Sequence, residues 1–323
     1  MNTFPVLLRR EYWEHRGGFV WAPVIAGIVV LVLTLMAWVL VEVAARGSDV
    51  QIGGVDLAAL SAQMSAQERA EAGQALDVAT ALIASWPLLV MAFVVFFYSL
   101  GALYDDRRDR SVLFWKSLPV SDLQTVLSKA VSALVLVPVF ATVVGVLTGL
   151  GLLLLVSLAV AVHGGNPFAL VWGLGSPFRV GGLLLASLPV YVLWALPTVG
   201  WLLLVSAWAR GKPFLWAVLI PLFSGILVGW LALMSVIESS GWYWKHIVAR
   251  LTLGTFPGMD LLYRGDLAEM ASAAGQSPEG VLSMLSLANT AQALRMPDLW
   301  IGAVAGVAMI AVAVWLRGRR DEG

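Results

Sequence analysis

The sequence predicts an all-α integral membrane protein with six transmembrane helices, and three observations carry that expectation. Hydrophobic residues make up 60% of the 323 and charged residues only 12%, with a mean hydropathy of +0.87. Soluble domains carry about 25% charged residues, so this chain cannot cover a water-facing surface of ordinary polarity. Six continuously apolar runs reach the roughly 20 residues that a bilayer core requires: Phe19–Val43, Val78–Leu103, Ala130–Val162, Val180–Ala207, Phe214–Ile237 and Asp298–Leu316. Strands are excluded because the runs do not alternate, and open sheet edges cannot face lipid. Lys and Arg are also unevenly placed. Residues 1–18, 104–129, 208–213 and 317–323 hold 13 of them in 57 residues, whereas 44–77, 163–179 and 238–297 hold 7 in 111. The positive-inside rule then puts both termini in the cytoplasm. Trp13, Trp21, Trp208, Trp216, Trp242, Trp244, Trp300 and Trp315 fall near span ends, where an amphipathic ring prefers the headgroups. Reporter fusions test this topology: Gly318 is expected to report as cytoplasmic and Gly265 as periplasmic, and the reverse at either site would overturn it.

The whole chain, 1–323, reads as one transmembrane domain. Residues 1–18 begin it with an interfacial helix, because Phe4, Leu7, Leu8 and Tyr12 recur at helical spacing, with Arg9, Arg10, Glu11 and Glu14 elsewhere around the helix. The chain is expected to turn into the membrane at Gly17-Gly18. The first apolar run is about twice the usual 7–15-residue signal core, so a retained helix is expected. Residues 44–77 are alanine-rich and read as helical around Leu57–Leu76. The third run is too long for one perpendicular crossing, and Pro138 and Gly145 offer places to bend. Residues 238–297 form a long outer loop with helix-start signals at Asp266/Glu269 and Ser277-Pro278-Glu279. Ahead of them, Gly241–Val248 reads as a re-entrant or interfacial segment.

Residues 104–129, between spans two and three, carry the most information. Six consecutive charges, Asp105–Arg110, lead into an apolar turn, Val112–Trp115, and then Pro119. A short helix near 109–118 is expected to stop at the proline. Ser121 with Gln124 reads as a capping box opening the helix that enters the third span.

Several chemistries are excluded or disfavoured. Zero cysteines exclude disulfides and thiolate sites. His15, His163 and His246 lack ligand spacing. No Gly-x4-Gly-Lys-Ser/Thr loop and no H-E-x-x-H is present. Gly173-Leu-Gly-Ser-Pro177 only superficially matches a serine turn, and Ser176 has no evident base. With acidic and basic residues balanced at 20 each, nothing suggests nucleic acid. The six runs contain essentially no Asp, Glu, Lys or Arg, so an ion-coupled carrier is not expected. If the chain moves a substrate, energy must arrive from outside the bilayer.

Six spans, cytoplasmic ends, an interfacial helix and a first cytoplasmic loop ending Ser117-Leu-Pro-Val-Ser121 resemble the ABC-2-type permeases. These are the bacterial inner-membrane subunits of ATP-binding-cassette exporters with the type V fold. In that family the loop often reads acidic-x-x-Gly-Thr-Leu, an apolar stretch, then Leu-Pro-Val-Ser. Here Leu118–Ser121 and Ser111 match, Arg110 stands for the glycine and Arg108 for the acid, with Asp109 adjacent. The likeness covers the chain by topology and about 25 residues by motif. It implies a coupling helix at Asp105–Pro119 that docks on a separate cytoplasmic ATP-binding subunit. Arg107, Arg108, Asp109, Arg110, Phe114, Trp115, Lys116 and Pro119 would form the contact. ATP and Mg would be bound by that partner and no cofactor by this chain, which would not itself be an enzyme. The likeness further implies a second copy or a related permease, surrounding membrane lipids, and a path lined by spans two and five. Their apolar content favours an amphipathic or lipid-like substrate. An alternative class is a scaffold that transmits ATPase motion across the membrane without transport.

Overall fold

Long runs of apolar side chains without a backbone partner on another strand leave the helix as the one way to satisfy every peptide group in lipid, and the structure follows that constraint throughout. The computed structural model describes residues 3–47, 63–109, 120–237, 239–264 and 286–320. Among them there is no strand, and six helices are long and apolar enough to cross a membrane. The chain has the architecture of a multi-pass helical membrane protein.

Helix α1 (Phe4–Arg16) runs through a kink at His15 (φ −110°, ψ 17°) and a wide π-helical turn, Gly17–Trp21, into the first long helix, α2 (Ala22–Gly47). The turn expected at Gly17-Gly18 is therefore a bend within a continuing helix. The second, α3 (Ala66–Gly101), starts at a complete capping box. Ser65 Oγ accepts from Glu68 N at 3.2 Å, and Glu68 Oε2 accepts from Ser65 N at 2.7 Å. The part of the expected Leu57–Leu76 helix before Met64 falls at Leu57–Ala62 outside the described residues and at Gln63 just before the cap. A one-turn helix, α4 (Tyr104–Arg108), follows α3 directly. Arg110, Phe114, Trp115, Lys116 and Pro119, with the helix expected near 109–118, lie outside the described residues beyond Asp109.

The third crossing is built from α5 (Asp122–Val131), a π-helical turn at Ser132–Leu136 and α6 (Val137–Val162). Ser121 caps it as expected, accepting from Gln124 N at 3.2 Å. Gln124 does not return the bond: its Oε1 accepts from Thr3 Oγ1 instead, at 3.2 Å. Pro138 directly follows the π-helical turn inside the continuous helical run Asp122–Val162, where its missing N–H interrupts the backbone ladder. The fourth crossing, α7 (Pro177–Trp208), is the most enclosed. The fifth, α8 (Pro213–Leu233), stops four residues before the expected Ile237, because Ser235 takes a left-handed conformation (φ 58°).

Beyond α8, a short helix α9 (Gly241–Tyr243), a π-helical turn (Trp244–Ala249) and α10 (Arg250–Leu253) fold back onto the bundle. Thr198, well inside α7, donates its hydroxyl to the carbonyl of Arg250, so this segment reaches far into the bundle. A further turn, α11 (Leu261–Arg264), precedes the residues not described; Asp266, Glu269 and Ser277-Pro278-Glu279 are among these. After α12 (Leu287–Arg295), the last crossing is α13 (Pro297–Arg320).

Glycines fix the closest crossings, Gly145 and Gly149 on α6 and the facing pair Gly200 and Gly306 on α7 and α13. A Cβ on Gly145 would lie 2.6 Å from the Ala84 carbonyl oxygen, and one on Gly149 would lie 2.9 Å from the Thr80 methyl, so α6 rests directly on α3. Gly145 thus serves contact rather than the expected bend. A Cβ on Gly306 would lie 2.6 Å from the Leu196 carbonyl, and one on Gly200 would lie 2.5 Å from the Gly306 carbonyl oxygen, which brings α13 and α7 into backbone contact. Small residues at such spacing are how helices associate in lipid, where burial of apolar area gives little drive. By contrast α2 and α8 leave Ile28, Val32, Leu33, Phe223, Ile226 and Leu227 exposed, as lipid-facing helices do.

Candidate functional site

Charge is concentrated at the end of the bundle where α1 and the end of α13 meet α4 and α5. Helix α1 lies against α5 there, with Leu7 buried and Tyr12 stacked on Phe140 (centroids 5.6 Å apart, 27° between planes). Phe4 and Leu8 are half-buried, Arg9 is exposed, and Arg10 pairs with Glu14 at 3.0 Å. The outward side of α1 leaves Val6 and Trp13 exposed.

Glu11 is where the helix departs from its sequence reading. Its position four residues after Leu7 puts it on the same face, and it is 1% exposed. Three elements converge on it and on one another. Lys129 Nζ, on α5, lies 3.2 Å from Glu11 Oε1 and 3.4 Å from Asp106 Oδ2, on α4. Arg317 Nη1, on α13, lies 3.6 Å from the same Asp106 oxygen, and its Nε donates to Asp122 Oδ1 at 3.0 Å. The attraction on Asp106 Oδ2 is coulombic at those distances, since neither cation reaches hydrogen-bond geometry with it. Tyr98, on α3, donates its hydroxyl to Glu11 Oε2 at 2.7 Å, and its ring meets Phe19 and His15 edge-on at 4.9 Å. One buried network therefore joins α1, α3, α4, α5 and α13.

The charged run splits along α4. Asp106 points into this network. Arg107 donates to the carbonyls of Ser206 and Ala209 at the end of α7, while Ser206 Oγ accepts from the N–H groups of Leu103 (3.0 Å) and Tyr104 (2.9 Å). Arg107, expected in a partner contact, is thus engaged within the chain. Arg108 and Asp109 face outward, with side chains 69% and 70% exposed.

Comparison with known protein families, curated proteins and solved structures gives no match. Residues and geometry therefore carry the functional reading.

Among the described residues no group of three or more His, Asp or Glu is placed to hold a metal ion. Lys129, Arg317 and Tyr98 surround the carboxylates of Glu11, Asp106 and Asp122, so the cluster ties several helices together at one end of the bundle. Sequence reasoning left Glu11 on the polar side of α1 and counted Lys129 among solvated charges. The signals available were the Leu7/Glu11 spacing and a lysine immediately before an apolar run.

Proposed function

We propose that this chain is the membrane-spanning subunit of an ATP-binding-cassette exporter, powered by ATP hydrolysed in a separate cytoplasmic subunit. The observation that supports this reading most is the division of the charged run. Asp106 and Arg107 anchor α4 to α5, α7 and α13, while Arg108 and Asp109 face outward, with Arg110–Pro119 next in the sequence. A force that arrives at α4 passes to α5, α7 and α13 through Asp106 and Arg107, and to α1 through Lys129. An input stage for an external motor needs that construction. Both termini and this segment are then cytoplasmic, the membrane is the bacterial inner membrane, α1 lies in its interface, and the complete exporter contains a second copy or a related permease. The cargo is amphipathic or lipid-like, and the long loop between spans five and six faces the periplasm.

In this reading Phe114 and Trp115 are the apolar anchors in the partner's cleft. Truncating an interface anchor costs about 2 kcal/mol, or roughly thirtyfold in affinity. Phe114→Ala and Trp115→Ala are each expected to weaken co-purification with the adjacently encoded ATP-binding subunit by that factor, with membrane insertion unchanged. Charge reversal at Arg108 acts more mildly and fades with salt, as rim charges do. Normal insertion with full partner binding and full ATPase stimulation in both alanine variants would remove the coupling role from this segment.

A further inference from the structure

A cavity of about 370 Å³ lies between α3, α6 and α7, within the roughly 300–1,000 Å³ of small-molecule sites. Its walls are largely apolar, with Leu88, Met91 and Leu184 among them, and residues Phe256–Leu261 close it on one side. Phe256 is held there edge-on against Phe93, with centroids 5.1 Å apart. The cavity shares span two with the expected path but takes no residue from span five, α8.

One region of its wall is polar in an unusual way. Trp194 lines the cavity and is 2% exposed, yet its indole Nε1 has no hydrogen-bond partner among the described residues. The Arg250 guanidinium lies 4.1 Å from the Trp194 ring centroid, and its Nε is also buried without a partner, while its Nη groups donate to the carbonyls of Asp298 and Leu299. Thr255 Oγ1 is a third buried orphan, on the residue whose carbonyl accepts from the cavity-lining Tyr191. Native interiors rarely leave such groups unpaired, because a buried donor that has lost water and gained nothing is costly. Of the three, Trp194 lines the chamber itself, and its buried N–H calls for an oxygen acceptor there. Asp260 lines the same cavity, and a second negative charge beside a carboxylate is disfavoured.

We infer that this cavity binds a neutral acyl amphiphile, its chain among the apolar walls and an ester or amide carbonyl accepting from Trp194 Nε1. The assignment needs the membrane setting but no ATP-binding partner, so its failure and the failure of the coupling reading are separate results.

The test uses the purified chain in lipid nanodiscs and a monoacylglycerol carrying a mid-chain diazirine and a terminal alkyne. Photolabelling is expected to map to residues 81–91 and 184–194. Ser187→Phe, which fills the cavity, should abolish it, whereas Leu185→Phe, on an exposed face, should not. Ala81→Leu serves the same purpose if the larger ring prevents folding. Trp194→Phe keeps a ring and removes the N–H, and is expected to cut labelling about tenfold, the worth of one buried hydrogen bond. Labelling spread evenly over exposed positions such as Leu147, or indifferent to both filling variants, would show ordinary annular lipid and overturn the site. Unchanged labelling in Trp194→Phe would assign the orphan donors to water and overturn the carbonyl contact. Equal labelling by the corresponding free fatty acid would overturn the preference for a neutral head.

Discussion

Lys129→Ala is expected to destabilise the folded chain by about 3–5 kcal/mol, the usual cost of removing one member of a buried ion pair. The lysine side chain is 3% exposed and is the cation between Glu11 and Asp106. Without it two carboxylates face each other in a site that water cannot enter, although Asp106 keeps Arg317. Equilibrium unfolding in mixed micelles is the measurement, and a loss under about 1 kcal/mol would mean that the network is solvated. A second variant separates charge from shape. Glu11→Gln combined with Lys129→Met removes one charge of each sign while keeping volume, and buried pairs replaced in this way are often neutral for stability. The double variant is therefore expected to recover most of the loss.

Gly306→Leu is the second large effect, and its origin is steric. A Cβ at this position would stand 2.6 Å from the Leu196 carbonyl carbon and oxygen and 2.8 Å from Pro197 N. All three are backbone atoms of α7, so no rotamer change relieves the overlap. Overpacking commonly costs about 1–3 kcal/mol where side chains can move; here a whole helix must move, and about 3 kcal/mol or more is expected. The chain has no cysteine, so a single introduced Ala313→Cys reports cleanly. Ala313 is fully buried, and its thiol should become reactive to maleimide only when Gly306→Leu lifts α13 from α7. Gly182→Leu, at a glycine with open space around it, should change neither stability nor labelling. Equal behaviour of the two glycine variants would mean that the α7–α13 crossing is looser than its geometry indicates.

Hydropathy located all six long helices because a bilayer-length run of apolar residues has one economical backbone solution. It misjudged the end of the fifth because Val236 and Ile237 are as apolar as their neighbours, and hydropathy does not register the left-handed turn at Ser235. The capping signals are local: Ser121 with Gln124 reads as a capping box, yet Ser65 with Glu68, at the same spacing, is the pair that closes both bonds. The charge network was not legible. Its members are remote in sequence, Asp122 and Arg317 being 195 residues apart, and a single sequence gives no hint of which charges meet. Positive-inside counting even obscured it, since that rule treats Lys129 and Arg317 as solvated charges. The Gly-x3-Gly spacings at 145–149 and 302–306 are visible in the letters; only the structure shows that Gly145 and Gly306 meet opposing backbones while Gly302 meets the Arg250 guanidinium.

The π-helical turn at Ser132–Leu136 has a consequence for phase. Between Val126 and Thr142 the buried positions of the third crossing recur every fourth residue, at 126, 130, 134, 138 and 142. An ordinary helix at 3.6 residues per turn would drift by about 40° at each such step, about 160° over the four steps from Val126 to Thr142. One extra residue in a wide turn cancels about 100° of that drift. The rod is therefore two helices set to a common angle, one carrying the lysine of the ion network and the other carrying Pro138 and Thr142 of the cavity wall. Straightening the turn would rotate one half against the other like a key in a lock. Glu11 and Asp106, gripping Lys129 from two sides, are the wards that hold the key at its present setting.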